Sequence, residues 1–309
     1  MIAITGRPTG LPALLDVSSR DRFRRLALLA VALTAALAYA NALSNGFVLD
    51  DGAVIRTNPL VTSPLGAWRA FGLPYWPERI GGGQYRPLGI ISFAFDWLVS
   101  GGNPRWFHAV NVLWHVAATV AVFTLAAELL APAAALVAGL VFALHPVHVE
   151  SVANVVGRLE CMAAVFVIGA LLAHRRRHWS APVWFALGLL SKESAVVLIA
   201  LAAANDVLLS RDWRATLEAR RRWYASYAAV ALLFAAAFLV VFHDRVATYP
   251  ARGFVGTTTL ERLAIVAKII PHYVRLLLVP AELSASYGPN VIPADTSPSA
   301  STVLGAAAF

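Results

Sequence analysis

Cysteine is almost absent: Cys161 stands alone in 309 residues, which excludes an internal disulfide and any thiolate metal cluster. Lysine is nearly as scarce, with Lys192 and Lys268 the only examples, so a formal charge of +8 rests almost wholly on arginine. Charge of either sign is thin, at 14% of residues against 59% hydrophobic. Such a chain cannot cover a water-soluble surface, and its composition and long uncharged runs define an all-α integral membrane protein. The arginine excess then reads as membrane topology, with no nucleic-acid partner implied. A cleavable leader is not expected: the first apolar run exceeds a leader core, and no small-residue cleavage site precedes Asp50.

What is present is a series of apolar runs. Leu26 to Leu49 holds no Asp, Glu, Lys or Arg, enough to cross ~30 Å of hydrocarbon as a helix. Arg20, Arg22, Arg24 and Arg25 precede it and make residues 1–25 a cytoplasmic tail. Residues 26–309 read as one membrane domain with a large first extracytoplasmic loop over about 50–105. Its end, Leu304 to Phe309, reads as the start of a further span, so the chain is expected to be cut short at its C-terminus. Within the loop, Arg86-Pro87 opens a short apolar helix that stops at Ser100-Gly101-Gly102-Asn103-Pro104. It is too short to cross and is expected flat at the interface beside Asp50 and Asp51.

Further spans are expected over about Trp106 to Leu130, Ala133 to Leu144, Pro146 to His174 and Trp223 to Phe242. Arginines at both 174–178 and 211–222 require an even number of crossings between them. A hairpin meets that need, with its tip Lys192-Glu193 on the same far side as Asp50. Residues 243–261 read as a far-side loop, against Arg245 and Arg252. For Leu260 to Val279 and the acidic stretch 280–300, a crossing and a re-entrant segment both stay open.

This topology gathers polar groups at one face: Asp50, Asp51, Arg86, Asp96, His145, His148, Glu150, Arg158, Glu160, Lys192 and Glu193. Charge near hydrocarbon is costly, and such groups are paired or used. Adjacent carboxylates at the water boundary, Asp50 and Asp51, can take a proton or hold a metal, or can simply end a helix in water. On a helix from Pro146, Glu150, Asn154, Gly157, Arg158 and Cys161 would share one stripe. Arg158 could equally be a packing ion pair with Glu150 or Glu160. His145 and His148 form H-x-x-H. A divalent metal is a lesser reading there, because His145 precedes a proline and reads as a helix cap. His108 and His115 read as packing or hydrogen-bonding groups. Trp68, Tyr75, Trp76, Trp97 and Trp106 read as an interfacial aromatic belt, with sugar stacking as a further use.

Several motifs, in order, resemble a known family. Phe47-Val48-Leu49-Asp50-Asp51 resembles the acidic motif in the first extracytoplasmic loop of multi-spanning GT-C glycosyltransferases. Tyr85-Arg86-Pro87-Leu88, Asn103-Pro104, Phe107-His108, Val110-Asn111 and His115 are similar to the transmembrane-and-tetratricopeptide-repeat O-mannosyltransferases. His145-Pro146-Val147-His148-Val149-Glu150, Gly157-Arg158 and Leu190-Ser191-Lys192-Glu193 continue the match, and Leu283-Ser284 with Tyr287 follow more loosely. The resemblance covers about residues 40–295. No tetratricopeptide repeats occur, and Ser286 stands where an acidic residue is usual.

The resemblance implies a GT-C-like helical bundle that moves a sugar, mannose in this family, from a polyprenyl or dolichyl phosphate to an extracytoplasmic hydroxyl. The acceptor would be a protein or a glycan. No cofactor is implied beyond the lipid-linked donor, which enters as substrate from membrane lipid. Asp50 or Asp51 would be the base. Arg86, Arg158 and Lys192 would meet the donor phosphate, with His145, His148, Glu150 and Glu193 in support. The expected location is a bacterial inner membrane, or the endoplasmic reticulum in a eukaryote, with the site on the extracytoplasmic face. A lipid-linked carrier of the transporter or flippase type, or a silent membrane scaffold, are the alternatives. A carrier should show internal repeats with paired broken helices, and none is found.

Overall fold

The computed structural model describes residues 11–77, 80–243, 256–281 and 283–284. Of the far-side loop expected over 243–261, the part 244–255, with Arg245 and Arg252, lies outside the described residues. So does 285–309, with Ser286, Tyr287 and the apolar end.

Among the described residues every regular element is helical, and prolines set many of the boundaries. After α1 (Leu11–Ala38) come a 3₁₀ turn (Ala40–Ser44) and a π-helical turn (Gly52–Arg56). Then follow α2 (Pro59–Thr62), a 3₁₀ helix (Pro64–Gly72), α3 (Pro87–Ser100), α4 (Pro104–Leu129) and α5 (Pro132–Leu144). Each of these five opens on a proline, whose missing N–H is not needed in a first turn. Asn58 and Asn103 cap α2 and α4 by accepting the N–H of Leu60 and Arg105. α3 ends at Gly101, whose left-handed φ of 60° suits glycine.

A 3₁₀ turn (Pro146–His148), α6 (Val149–Ala153) and another 3₁₀ turn (Val155–Gly157) lead into α7 (Arg158–Arg175). The chain continues through α8 (Ala181–Ser191), a 3₁₀ turn (Glu193–Val197), α9 (Leu198–Leu208), α10 (Trp213–Ala219), α11 (Arg221–Phe242) and α12 (Thr259–Leu278). Among the described residues three helical stretches are long and apolar enough to cross a membrane: Pro104–Leu129, Val155–Arg175 and Arg221–Phe242. Pro132–Leu144 with Pro146–Ala153, bent by 45°, makes a fourth if the pair counts as one span. The chain is thus an all-α, multi-spanning membrane bundle.

Three expectations need correction. The first apolar run is not one helix to Leu49. α1 ends at Ala38, about 20 Å beyond Arg25, and Asn41, Ser44 and Asn45 turn the chain out of it. The hairpin between the arginine groups is present, but its limbs α8 and α9 are 11 residues each, about 16 Å long. The span expected from Pro146 to His174 is broken around Asn154, which is extended (φ −92°, ψ 128°). Buried backbone freed by a break must find partners. Asn111 Nδ2 of α4 supplies them, reaching the carbonyls of Val152, Asn154 and Val155 at 3.2, 2.9 and 3.1 Å. Gly157 is required here, since a Cβ would fall 2.2 Å from the Glu150 carbonyl oxygen.

The bundle has two polar ends. Ala27 and Val31 of α1 pack with Phe123 and Ala126 near the end of α4 and Ala135 near the start of α5. Arg25 therefore lies toward the end where Glu128 of α4 meets Arg175 of α7 at 3.0 Å. At the other end the loops that follow α1 and α5 and the α8–α9 tip converge. A core of Val54, Ile55, Phe93, Phe107, Leu159 and Met162 ties the first loop to α3, α4 and α7. Removing one such buried phenylalanine typically costs about 3–5 kcal/mol.

Candidate active site

Consecutive carboxylates part company at the end of the first loop's entry segment. Leu49 has a left-handed φ of 46°, an uncommon conformation for leucine, and the chain turns there. Asp51 is fully buried, while Asp50 is exposed and lines a cavity. Asp51 Oδ2 accepts the Val48 N–H and its Oδ1 accepts the Val156 N–H, each at 3.0 Å. It therefore fastens the first loop to the break before α7. Burial pushes the Asp51 carboxyl above the usual aspartate range, against the pull of these amides.

The cavity beside Asp50 has a volume of about 600 Å³. The polar side chains around it include Gln84 and Arg86 from the first loop, beside Tyr75 and Trp76; His148, Glu150 and Asn154 from the broken segment; Glu160 and Cys161 from α7; and Lys192 from the α8–α9 tip. Tyr273 of α12 adds an aromatic wall. Arg86 donates to both oxygens of Glu193, Nε at 2.9 Å and Nη2 at 2.5 Å, and its guanidinium lies 5.3 Å from the Tyr75 ring centre. Burial works to raise the Glu193 carboxyl, but Arg86 outweighs it and holds the group below its ordinary range. Lys192 pairs with Glu160 across the cavity rim. Burial pushes the Tyr75 phenol up, so it stays protonated as a donor.

Arg158 is placed elsewhere. Its side chain is fully buried, with Nη1 2.5 Å from Asp96 Oδ2 of α3. It donates to Asn111 Oδ1 at 2.6 Å, Ser92 Oγ at 2.9 Å and the Phe107 carbonyl at 2.9 Å. These contacts join α3, α4 and α7, and they leave Arg158 out of the cavity lining. Asp96 takes the place of the expected partners: the break before α7 takes Glu150 out of helical register with Arg158, and Glu160, two residues further along α7, pairs with Lys192 instead. Glu150, Asn154, Gly157 and Cys161 still line the cavity, held there by the broken backbone and not by helical spacing.

His145 caps the turn after α5 as expected, accepting the Val147 N–H at its Nδ1 (3.2 Å), while its Nε2 lies 3.0 Å from the Leu277 carbonyl oxygen. With both nitrogens engaged, H-x-x-H does not present two imidazoles to one centre. His108 and His115 are buried, with Nε2 3.3 Å from the Gly46 oxygen and 3.2 Å from the Ala143 oxygen. Val110-Asn111 stands among the motifs, but the role of Asn111 at the break was not legible, nor were the Lys192–Glu160 and Arg158–Asp96 pairings. Asp96 and Glu160 had been gathered at this face, but nothing local marked their partners.

Taken together, the fold and this cavity define a multi-spanning membrane protein with the carboxylates of Asp50, Glu150 and Glu160 and the cations of Arg86 and Lys192 around one polar chamber at a bundle end. A family model described as dolichyl-phosphate-mannose-protein mannosyltransferase matches residues 95–241. The chain is 32% identical over 281 residues to Protein O-mannosyl-transferase Tmtc2 of Drosophila melanogaster, covering 84% of this chain and 30% of that protein. It is 31% identical over 220 residues to human Protein O-mannosyl-transferase TMTC4, covering 59% of this chain and 29% of that one. Against human Protein O-mannosyl-transferase TMTC2 it is 34% identical over 190 residues, covering 55% and 23%. The resemblance read from the ordered motifs is therefore borne out: the chain is related to the TMTC-type O-mannosyltransferases, a glycosyltransferase family. It spans under a third of the length of these curated relatives. No solved structure shows a significant match.

Proposed function

We propose that residues 26–309 form the membrane domain of a glycosyltransferase that moves mannose from a polyprenyl or dolichyl phosphate to a hydroxyl on a protein. The observation that carries this reading is the exposed Asp50 carboxylate in one cavity with Arg86 and Lys192. The acceptor oxygen attacks the anomeric carbon, and its proton passes to Asp50. The bond from that carbon to the phosphate oxygen breaks, and Arg86 and Lys192 meet the charge that grows on the departing lipid phosphate. Arginine offers a planar two-donor fork, whereas Lys192 acts as a point charge. Asp51 and Arg158 act one step back: Asp51 positions the turn that bears Asp50, and Arg158 holds α3, α4 and α7 together. His148 and Glu150 orient groups inside the cavity, and His145 fixes the turn that bears them. The arginine end faces the cytoplasm and the cavity the other compartment, by the positive-inside rule.

The test is transfer from radiolabelled polyprenyl phosphate mannose by the purified protein in lipid. Asp50→Asn should slow transfer by ~100-fold or more while donor binding changes far less. An Asp50→Asn protein that transfers at the parental rate would remove the base from Asp50, whereas a parental protein that transfers nothing would leave the carrier or scaffold reading in its place.

A further inference from the structure

At the arginine end a second cavity, of about 290 Å³, opens where α4, α7 and α9 finish and α10 leads into α11. Arg175, Arg176 and Arg220 line it, against two carboxylates, Glu128 and Asp206. Those carboxylates are already spent. Asp206 Oδ1 accepts from Asn205 Nδ2 at 3.0 Å and Arg220 Nη1 at 2.7 Å. Its Oδ2 accepts from Tyr224 at 2.8 Å and lies 3.1 Å from His174 Nε2. Glu128 accepts from Arg175 Nε at 3.0 Å and from Arg176 Nε and Nη2 at 3.1 and 2.6 Å. A carboxylate offers about four acceptor positions, so little acceptor capacity remains. Donors do remain. Arg220 Nε is buried without a partner, and three guanidinium groups carry more N–H than two carboxylates can take. The complement to such a chamber is an anion that only accepts hydrogen bonds.

The surroundings favour a lipid as its source. Leu208 and Leu209 are 78% and 60% exposed, and Trp179 and Trp213 at the same end are 73% and 44% exposed. Tryptophan at a bundle end marks headgroup depth, and exposed leucine suits acyl chains. We propose that this cavity binds the phosphate of an anionic phospholipid from the adjacent leaflet. Arg176 and Arg220 hold the headgroup, and the acyl chains lie along the exposed Leu208 and Leu209. The site is separate from the Asp50 cavity and does not depend on the transfer reaction.

The experiment titrates the purified full chain in detergent with phosphatidylglycerol, phosphatidylcholine or inorganic phosphate. Native mass spectrometry reads retained ligand, and thermal unfolding reads stabilisation. Phosphatidylglycerol should be retained and should raise the melting temperature, while the other two should do neither. Arg176→Gln leaves Glu128 with Arg175, and Arg220→Gln leaves Asp206 with Tyr224. Each should weaken phosphatidylglycerol retention by about fivefold or more. Equal stabilisation by inorganic phosphate would reassign the chamber to a free anion, and equal retention of both lipids would reduce it to an apolar surface. Either result overturns the proposal, as does unchanged phosphatidylglycerol retention in a folded Arg176→Gln protein.

Discussion

Arg158 and Asp96 meet at 2.5 Å inside the bundle, with side-chain exposures of 0% and 2%. A charge so enclosed persists only with its partner. Breaking a buried pair from one side usually costs about 3–5 kcal/mol, since the other charge is left uncompensated. Asp96→Ala and Arg158→Ala should both lower the melting temperature in detergent sharply, by similar amounts. Arg158→Ala with parental stability but lost donor binding would instead return Arg158 to the phosphate.

Neighbouring Asp50 and Asp51 should answer differently to the same change. Asp51→Asn can keep only one acceptor oxygen for the two amides that Asp51 serves, and an unmade buried hydrogen bond costs about 1–3 kcal/mol. Asp50→Asn should lose rate and keep stability. Thermal unfolding beside the transfer assay separates them, and loss of stability in Asp50→Asn alone would reverse the assignment.

The break before α7 offers a third check. Gly157→Ala would set a methyl 2.2 Å from the Glu150 oxygen, which backbone alone can relieve, and Asn111→Ala would strip three carbonyls of their partner. Both variants should insert poorly or lose about 2 kcal/mol or more of stability and melt early. Cys161 lines the cavity just past this break, so its labelling by a small thiol reagent should quicken as the break loosens.

Glu193 should make the far end pH-dependent. Its folded-state value lies below the ordinary value of 4.5, so ionisation favours the fold. The contribution is full above the unfolded value and fades as pH falls through the lower folded one. The melting-temperature gap between the parent and Glu193→Gln should therefore hold steady at neutral pH and close in acid. A gap that widened on acidification would contradict the Arg86 pairing.

Much of this protein was decided by sequence alone, and by local chemistry. Charge scarcity and apolar runs demand a membrane bundle, prolines such as Pro87, Pro104 and Pro132 open helices because their first turns need no N–H, and the arginine groups set one end. The topology read from the apolar runs and arginine groups brought Asp50, Arg86, His148, Glu150 and Lys192 to one face, and one cavity does hold them. The resemblance leaves Asp50 and Asp51 both open as the base. The geometry separates them: Asp51 is the rigid residue, spent on two amides, and Asp50 is the one that reaches the chamber. Tertiary structure alone decided that division, the pairing of Arg158 with Asp96, and the break that Asn111 stabilises. Each depends on partners far apart along the chain and close only once helices pack. In hydrocarbon, a buried charge or freed carbonyl takes whichever partner packing brings, and no local pattern marks that partner beforehand.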